Sequence, residues 1–493
     1  MTKALMFQGT GSDVGKSVIV AGLCRVAKRR GKIVAPFKPQ NMSNNAAACP
    51  NGGEIGRAQA LQALAAGLEP HTDFNPVLLK PQSDTRAQVI VHGKAVQTSE
   101  AADYINTRDN LMGAVVESFQ RLKSVYDLIL VEGAGSPAEV NLRSRDIANM
   151  GFARKCGVPV CLIGDIDKGG VIASLIGTQN VISPDDSQMI TSFIINKFRG
   201  DPALFNDGVE FIKEKTNWPC LGVIPWIKAL SKLPAEDSVS EHKALPKGNQ
   251  RIRIAAPILS RIANFDDADP LRLDPNVDFQ WVPPGKAIPR DVDVIILFGT
   301  KSTIAEIDFI RNQGWDNDIL SHARHKGHVI GICGGYQMLG HSVADLNGSD
   351  GPTGERRGLG LLDIETSMAE SKRVCQVDGV CIQSNAHFQG YEIHAGKTTG
   401  KDCERPLFSI NGRLEGAKNI TGNVQGSYIH GIFASDDYRI GWIKNHLLQI
   451  QTGFNYRESV DAALEELADE LERSLDIDTL FESAQPIGWN AQV

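Results

Sequence analysis

Three places in this sequence carry side chains suited to chemistry. They are Lys16 and Ser17 closing GTGSDVGKS, Cys333 inside HVIGICGGYQMLG, and His430 inside GSYIHGIF. The first has the parts of a phosphate cradle: turn N–H groups and a helix start converge on phosphate oxygens, a lysine adds charge, and a hydroxyl holds Mg2+. Its spacing departs from the common signature. Counting back from Gly15, Thr10 stands where a glycine is usual, with Gly9 one residue too far and Gly11 one too near. A tight strand-to-helix turn would also favour glycine. The strand-like ALMFQ before it and the amphipathic SVIVAGLCRVAKRR after it favour nucleotide binding.

DLILVEGAG brings Glu132 to the carboxyl end of an apolar strand, where open α/β sheets bind ligands. That placement makes it a Mg2+ ligand opposite Ser17; capping of the next turn is the plainer alternative. Cys333 lies at a strand–turn–helix junction, the nucleophile-elbow pattern, where the next backbone N–H faces a developing oxyanion. A helix N-terminus also favours a thiolate suited to attack on an amide. The other eight of the nine cysteines read as buried and structural, and none form a Cys-x-x-Cys pair. His430 ends a late apolar strand, within reach of a thiol it could serve as acid and base.

The elements that must hold these groups alternate. Apolar runs (ALMFQG, KIVAPFK, DLILVEGAG, VPVCLIGDI, ITSFIINKF, CLGVIPW) are separated by helical patterns at Ser17 to Lys28, Glu54 to Leu68 and Ala101 to Lys123. Such alternation predicts an α/β fold with a mainly parallel sheet flanked by helices. A second series (RIRIAAPIL, DVDVIILFG, HVIGICGG, then GYEIHAG and NVQGSYIHGIF) predicts a second domain of the same kind. The boundaries read as residues 1–230, a polar linker at 231–250, a second domain at 251–447, and an acidic helical tail at 448–493. The tail carries Val460, Leu464, Leu467, Leu471 and Leu475 on one stripe, suited to packing on the body or on a second subunit, hence a homo-oligomer as one expectation. A chain of 493 residues exceeds one ordinary core. A formal charge of −7 without a basic block argues against nucleic acid as partner. No apolar run is long enough to span a bilayer, the start does not read as a signal peptide, and scattered thiols suggest a cytoplasmic protein.

In order, GTGSDVGKS, FKPQNMSNN, EIGRAQ, NPVLLKP, VEGAGSPAEVNL, DIANM, GDIDKGG and NKFRGD resemble the synthetase half of the cobyric acid synthase family. That half is itself similar to dethiobiotin synthetase, in which the γ-phosphate of ATP passes to a carboxylate. The superfamily's longer loop, Gly-Thr-x-x-x-x-Gly-Lys-Ser/Thr, matches Gly9 to Ser17. The resemblance implies ATP around Gly11, Asp13, Val14, Gly15, Lys16, Ser17 and Lys38, with Asn196 by the adenine. It further implies Mg2+ at Ser17, Glu54 and Glu132, and Asp146 and Asp165 toward the acceptor substrate, although an aspartate can also cap the helix after it.

Gly331, Cys333, Gly335 and Gln337 with His430 resemble a class I glutamine amidotransferase domain of the same family. The resemblance implies glutamine and oxyanion contacts from Gly299, Gly334, Gln337 and Tyr428. Many such domains carry His-x-Glu, but Ile432 stands two residues after His430. The imidazole must be oriented otherwise, by Glu392 or His394 on position alone, or by a backbone carbonyl. Together the halves imply an ATP- and glutamine-dependent ligase amidating the b, d, e and g carboxylates of adenosylcobyrinic acid a,c-diamide in cobalamin biosynthesis. Two alternatives stand beside it. Cobyrinic acid a,c-diamide synthase shares both domains but amidates other carboxylates. Partitioning ATPases carry a lysine at the place of Gly11 and lack a glutaminase.

Overall fold

Near-continuous apolar runs bury both faces of a strand, and Leu128–Glu132 is buried along its whole length. In the computed structural model, which describes residues 1–82, 86–100, 108–235, 251–351, 353–447 and 450–488, six strands form the first sheet. Their order is Cys220–Pro225, Ile190–Phe198, Val160–Asp165, Lys3–Gly9, Leu128–Glu132 and Val34–Phe37, all parallel. The register sets Phe7 beside Glu132 and Asp165 beside Asn196, so the P-loop, the acid and the asparagine meet at one carboxyl edge. The helix expected from Ala101 is described from Arg108 to Lys123; residues 101–107 lie outside the description. So does most of the expected linker, residues 236–250.

The second sheet runs Val277–Val282, Ile252–Pro257, Val294–Leu297, His328–Ile332 and Val424–Ser427 in parallel, with Ala417–Lys418 antiparallel at its edge. Beside it stands a largely antiparallel sheet built on the long hairpin Glu365–Cys381 and His387–Thr399. Its last short strand, Ile429–His430, pairs His430 with Tyr391. The sequence patterns pointed only to fragments of this sheet.

The C-terminal helix, Tyr456–Ser474, lies on the P-loop helix, Lys16–Arg29. Leu464, Leu467 and Leu471 are buried there, each contributing roughly 1.5–3 kcal/mol through its apolar area. Arg25 and Arg29 reach Asp461, Glu465 and Asp469 across the contact, ion pairs that add little because their acids face solvent. Gln485–Pro486 then pairs antiparallel with the first strand. The tail thus packs on the body of the protein, one of the dispositions expected for it.

Candidate active sites

The loop after the first strand turns through Asp13 (φ 59°) and Gly15 (φ 97°), left-handed conformations. A Cβ at Gly15 would also strike Asn196 Nδ2, so the position needs glycine twice over. Asn196 Nδ2 donates to the Val14 carbonyl (2.8 Å) and Lys16 Nζ to the Gly11 carbonyl (3.1 Å), which braces the loop from both sides. Ser17 Oγ donates to Glu132 Oε1 at 2.7 Å, and Lys38 Nζ lies 2.7 Å from the same oxygen. On the other oxygen, Glu132 Oε2 accepts from Gln59 (3.2 Å) and Gln62 (2.6 Å). Glu132 is fully buried, and these donors offset the cost of holding its charge there.

Above this cluster opens a cavity of about 1500 Å3, with Lys16, Ser17, Lys38, Glu132 and Asn196 on one wall and Arg86, Arg145, Lys168 and Trp226 on others. Among the described residues no group of three or more His, Cys, Asp or Glu could hold a metal ion by itself. A hydroxyl and a carboxylate are nevertheless hard oxygen donors of the kind Mg2+ takes, with phosphate oxygens completing its shell. Ser17 and Glu132 therefore fit the ion.

Glu54 does not join them. It sits at the second cavity, with Lys80 Nζ 2.8 Å from Oε2 and Lys372 Nζ 2.5 Å from Oε1. Burial alone would raise its pKa, but Lys372 and Lys80 hold it down at about 2. Its carboxylate is a buried counter-ion to two lysines, which corrects its placement beside Mg2+. The two aspartates expected toward the substrate also have local duties. Asp146 accepts from the N–H groups of Ala148 (2.8 Å), Asn149 (2.7 Å) and Gly151 (2.8 Å), capping the helix Met150–Cys156 from the cavity wall. Asp165 accepts from Asp167 N–H (2.9 Å) and pairs with Lys197 (2.8 Å).

In the second domain Cys333 has φ 52° and ψ −109°, a strained conformation for a residue with a side chain. It ends His328–Ile332 and begins the short helix Gly334–Met338, as the elbow pattern predicts. The turn is tight enough that a Cβ on Gly335 would strike the Leu297 carbonyl. A Cβ built at Gly299 would lie 3.1 Å from His430 Cε1 and 3.7 Å from Cys333 Cβ, so Gly299 adjoins both. Cys333, His430, Gly299, Gly334 and Gln337 line one cavity of about 680 Å3, with Glu54, Lys80 and Lys94 from the first domain on its far side. Gln337 is fixed by Thr303 Oγ1 (2.9 Å) and donates to Tyr428 Oη (3.3 Å). Tyr428 stands behind the wall, its ring stacked on His394 at 3.7 Å.

His430 is oriented by a residue that the sequence patterns did not single out. Its Nδ1 lies 2.7 Å from Asp267 Oδ2, while Asp267 Oδ1 accepts from Gly431 N–H at 2.6 Å. Asp267 and His430 are both nearly fully buried. Burial alone would lower the pKa of His430, but the Asp267 carboxylate and the charge of Cys333 carry it up to about 10. Neither earlier candidate does this work. Glu392 is taken by Arg373 and Arg413, each at 2.7 Å, and His394 Nδ1 meets the Gly396 carbonyl at 2.9 Å. Asp267 lies in NFDDADP, a run without strand or helix period, and a cluster of acids was its one signal.

A cysteine elbow with a histidine–aspartate pair, joined to a P-loop sheet, defines a glutamine amidotransferase coupled to a nucleotide-binding domain. Residues 253–438 match the CobB/CobQ-like glutamine amidotransferase domain, and residues 5–240 the CobQ/CobB/MinD/ParA nucleotide binding domain. Over 99% of its length the chain is 61% identical to a cobyric acid synthase of Hyphomonas neptunium, covering 98% of that protein. It is 57% identical over 98% of its length to one of Bradyrhizobium diazoefficiens, covering all of it, and 56% identical over 98% to one of Paracoccus denitrificans. The chain belongs to the cobyric acid synthase family, whose members are glutamine-dependent amidating ligases. No helix among the described residues is long and apolar enough to cross a membrane.

Proposed function

We propose that the two cavities run the two halves of one amidation. Supporting it is the arrangement of Cys333 and His430, the latter backed by Asp267, in a cavity also lined by residues of the nucleotide-binding domain. Cys333 Sγ, its proton passed to His430, attacks the side-chain amide carbon of glutamine as the thiolate, and the N–H groups of Gly334 and Gly299 meet the oxyanion. His430, held protonated by Asp267, gives its proton to the departing ammonia; water then releases glutamate from the thioester. In the first domain Lys16 and Lys38 hold the phosphates of ATP while its γ-phosphoryl group passes to a substrate carboxylate. Ser17 and Glu132 would hold Mg2+, which supplies charge neutralisation at the phosphate oxygens. Ammonia attacks the acyl phosphate, the amide forms and phosphate leaves.

The acceptor is a corrinoid acid, adenosylcobyrinic acid a,c-diamide, amidated at b, d, e and g. The cavity of about 1500 Å3 exceeds the volume usual for one small ligand, which suits a nucleotide together with a large polycarboxylate facing Arg86 and Arg145. Incubating the protein with ATP, Mg2+, glutamine and cobyrinic acid or its a,c-diamide, with products read by mass, tests the choice. Amides added to the a,c-diamide support it; amidation only at a and c of cobyrinic acid would select the sister synthase instead.

A further inference from the structure

The helix Arg57–Ala66 touches both sites. Along its inner face Gln59 and Gln62, both fully buried, donate to Glu132 Oε2, and Gln62 also donates to the Ser17 carbonyl at 3.1 Å. At its first residue the contacts run to the other domain. Arg57 donates through Nη2 to Asp266 Oδ2 and, at 3.3 Å, to the Tyr391 hydroxyl. Its guanidinium lies 5.5 Å from the centre of the Tyr391 ring, and that ring stacks on His430 at 5.2 Å and 16°. Asp266 immediately precedes Asp267, the partner of His430. From Arg57 to Gln62 is about 8 Å along the helix axis, so one rigid element spans from the acid of the nucleotide site to the base of the glutamine site.

A second contact holds the same turn. Ala46 N–H donates to Asn264 Oδ1 (2.9 Å), Asn264 N–H donates to Asn45 Oδ1 (2.7 Å), and the Asn45 carbonyl accepts from Arg57 N–H (3.0 Å). The single turn Phe265–Ala268, which carries Asp267, is thus gripped by the first domain at its start and at Asp266. The grip is incomplete. Arg57 Nε and Asp266 Oδ1 are buried without a hydrogen-bond partner, so a small rotation of the guanidinium would close a second bond and shift the turn. Any ligand that draws the Glu132 carboxylate away from Gln59 and Gln62 loads the other end of the helix.

We propose that Arg57 is a positioning residue for glutamine hydrolysis, and that its helix passes the state of the nucleotide site to His430 through Glu132 at one end and Asp266 and Tyr391 at the other. Two sites coupled in this way have a differential contact to exploit, the requirement for any such linkage. The inference rests on the reading of Cys333 and His430 as the glutaminase.

The test uses the full-length enzyme and glutamate release, first without nucleotide, then with ATP, Mg2+ and a corrinoid a,c-diamide acid. The wild type is expected to hydrolyse glutamine about fivefold faster or more once these are added. Arg57→Gln should lower nucleotide-free kcat about tenfold and bring the stimulation close to none. The KM for glutamine should stay within roughly twofold, because Arg57 does not touch the amide. Tyr391→Phe, which removes one hydroxyl and keeps the stacked ring, should reduce the stimulation while leaving KM alone. It also serves if Arg57→Gln fails to fold. Wild-type kcat and stimulation in both variants would overturn the proposal. So would a loss of kcat in which KM and melting temperature worsen in step, or a wild type whose hydrolysis ignores the added ligands. Hydrolysis persisting in Cys333→Ala would instead overturn the underlying assignment of the nucleophile.

Discussion

Nδ1 of His430 and Oδ2 of Asp267 stand 2.7 Å apart in the interior of the second domain, 163 residues apart in the chain. The pair fixes the imidazole with Nε2 free for the thiol side and keeps the ring charged. Asp267→Asn should therefore cut glutamine-dependent activity by about two orders of magnitude or more, the scale on which triad carboxylates act. Ammonia-dependent amidation should survive, because the nucleotide site is not touched. Parallel assays with glutamine and with ammonium chloride separate the two.

The same pair makes stability depend on pH. His430 is raised from 6.5 to about 10, so its contribution is fully present below pH 6.5 and is lost as pH rises through about 10. Denaturant melts of the wild type should lose stability across that window. Asp267→Asn, which removes the largest raising influence, should flatten the loss.

Asp267 also marks where the sequence stopped being legible. Most of the parallel strands could be read because they are apolar runs buried on both faces, whereas Val277–Val282, with Asp278 and Gln280 alternating among its apolar residues, was not. Cys333 could be read because a strained turn between strand and helix needs the glycines around it. Asp267 acts across 163 residues from an irregular turn, and neither period nor spacing reports such a contact. Glu54 shows the reverse failure. EIGRAQ has the residue type for a metal site, yet the short hairpin Ala46–Cys49 with Gly53–Gly56 carries the carboxylate to Lys80 and Lys372 instead. The long hairpin of the second domain was obscured because exposed charges interrupt its strand pattern.

Glu54 has its own test. Replacing it with Gln leaves Lys80 and Lys372 without their counter-ion. Burial already pushes Lys372 down to about 7, so it sheds its proton and the loss falls at or below the roughly 3–5 kcal/mol of a broken buried pair. The contribution of Glu54 is present above pH 4.5 and is lost as pH falls through about 2. Urea melts of Glu54→Gln against the wild type at neutral pH should show the deficit. A Mg2+ ligand would instead show wild-type stability and a raised Mg2+ requirement.

Glu132→Gln addresses the other cavity. The change keeps the volume and removes the charge that Ser17, Lys38, Gln59 and Gln62 surround. Amidation with either nitrogen source should fall about a hundredfold or more, as expected when a charge that organises phosphoryl transfer is lost. Cys333 is left intact, so glutamine hydrolysis without nucleotide should continue.

The most direct measurement follows amide nitrogen into the corrinoid. Supplied with ATP, Mg2+, glutamine labelled with 15N at the side-chain amide, and adenosylcobyrinic acid a,c-diamide, the wild type should yield a corrinoid carrying labelled amides at b, d, e and g. Cys333→Ala should form the same amides only from added ammonia. A wild type that hydrolyses both ATP and glutamine yet leaves the corrinoid without a labelled amide would contradict the joining of the two sites into one amidation.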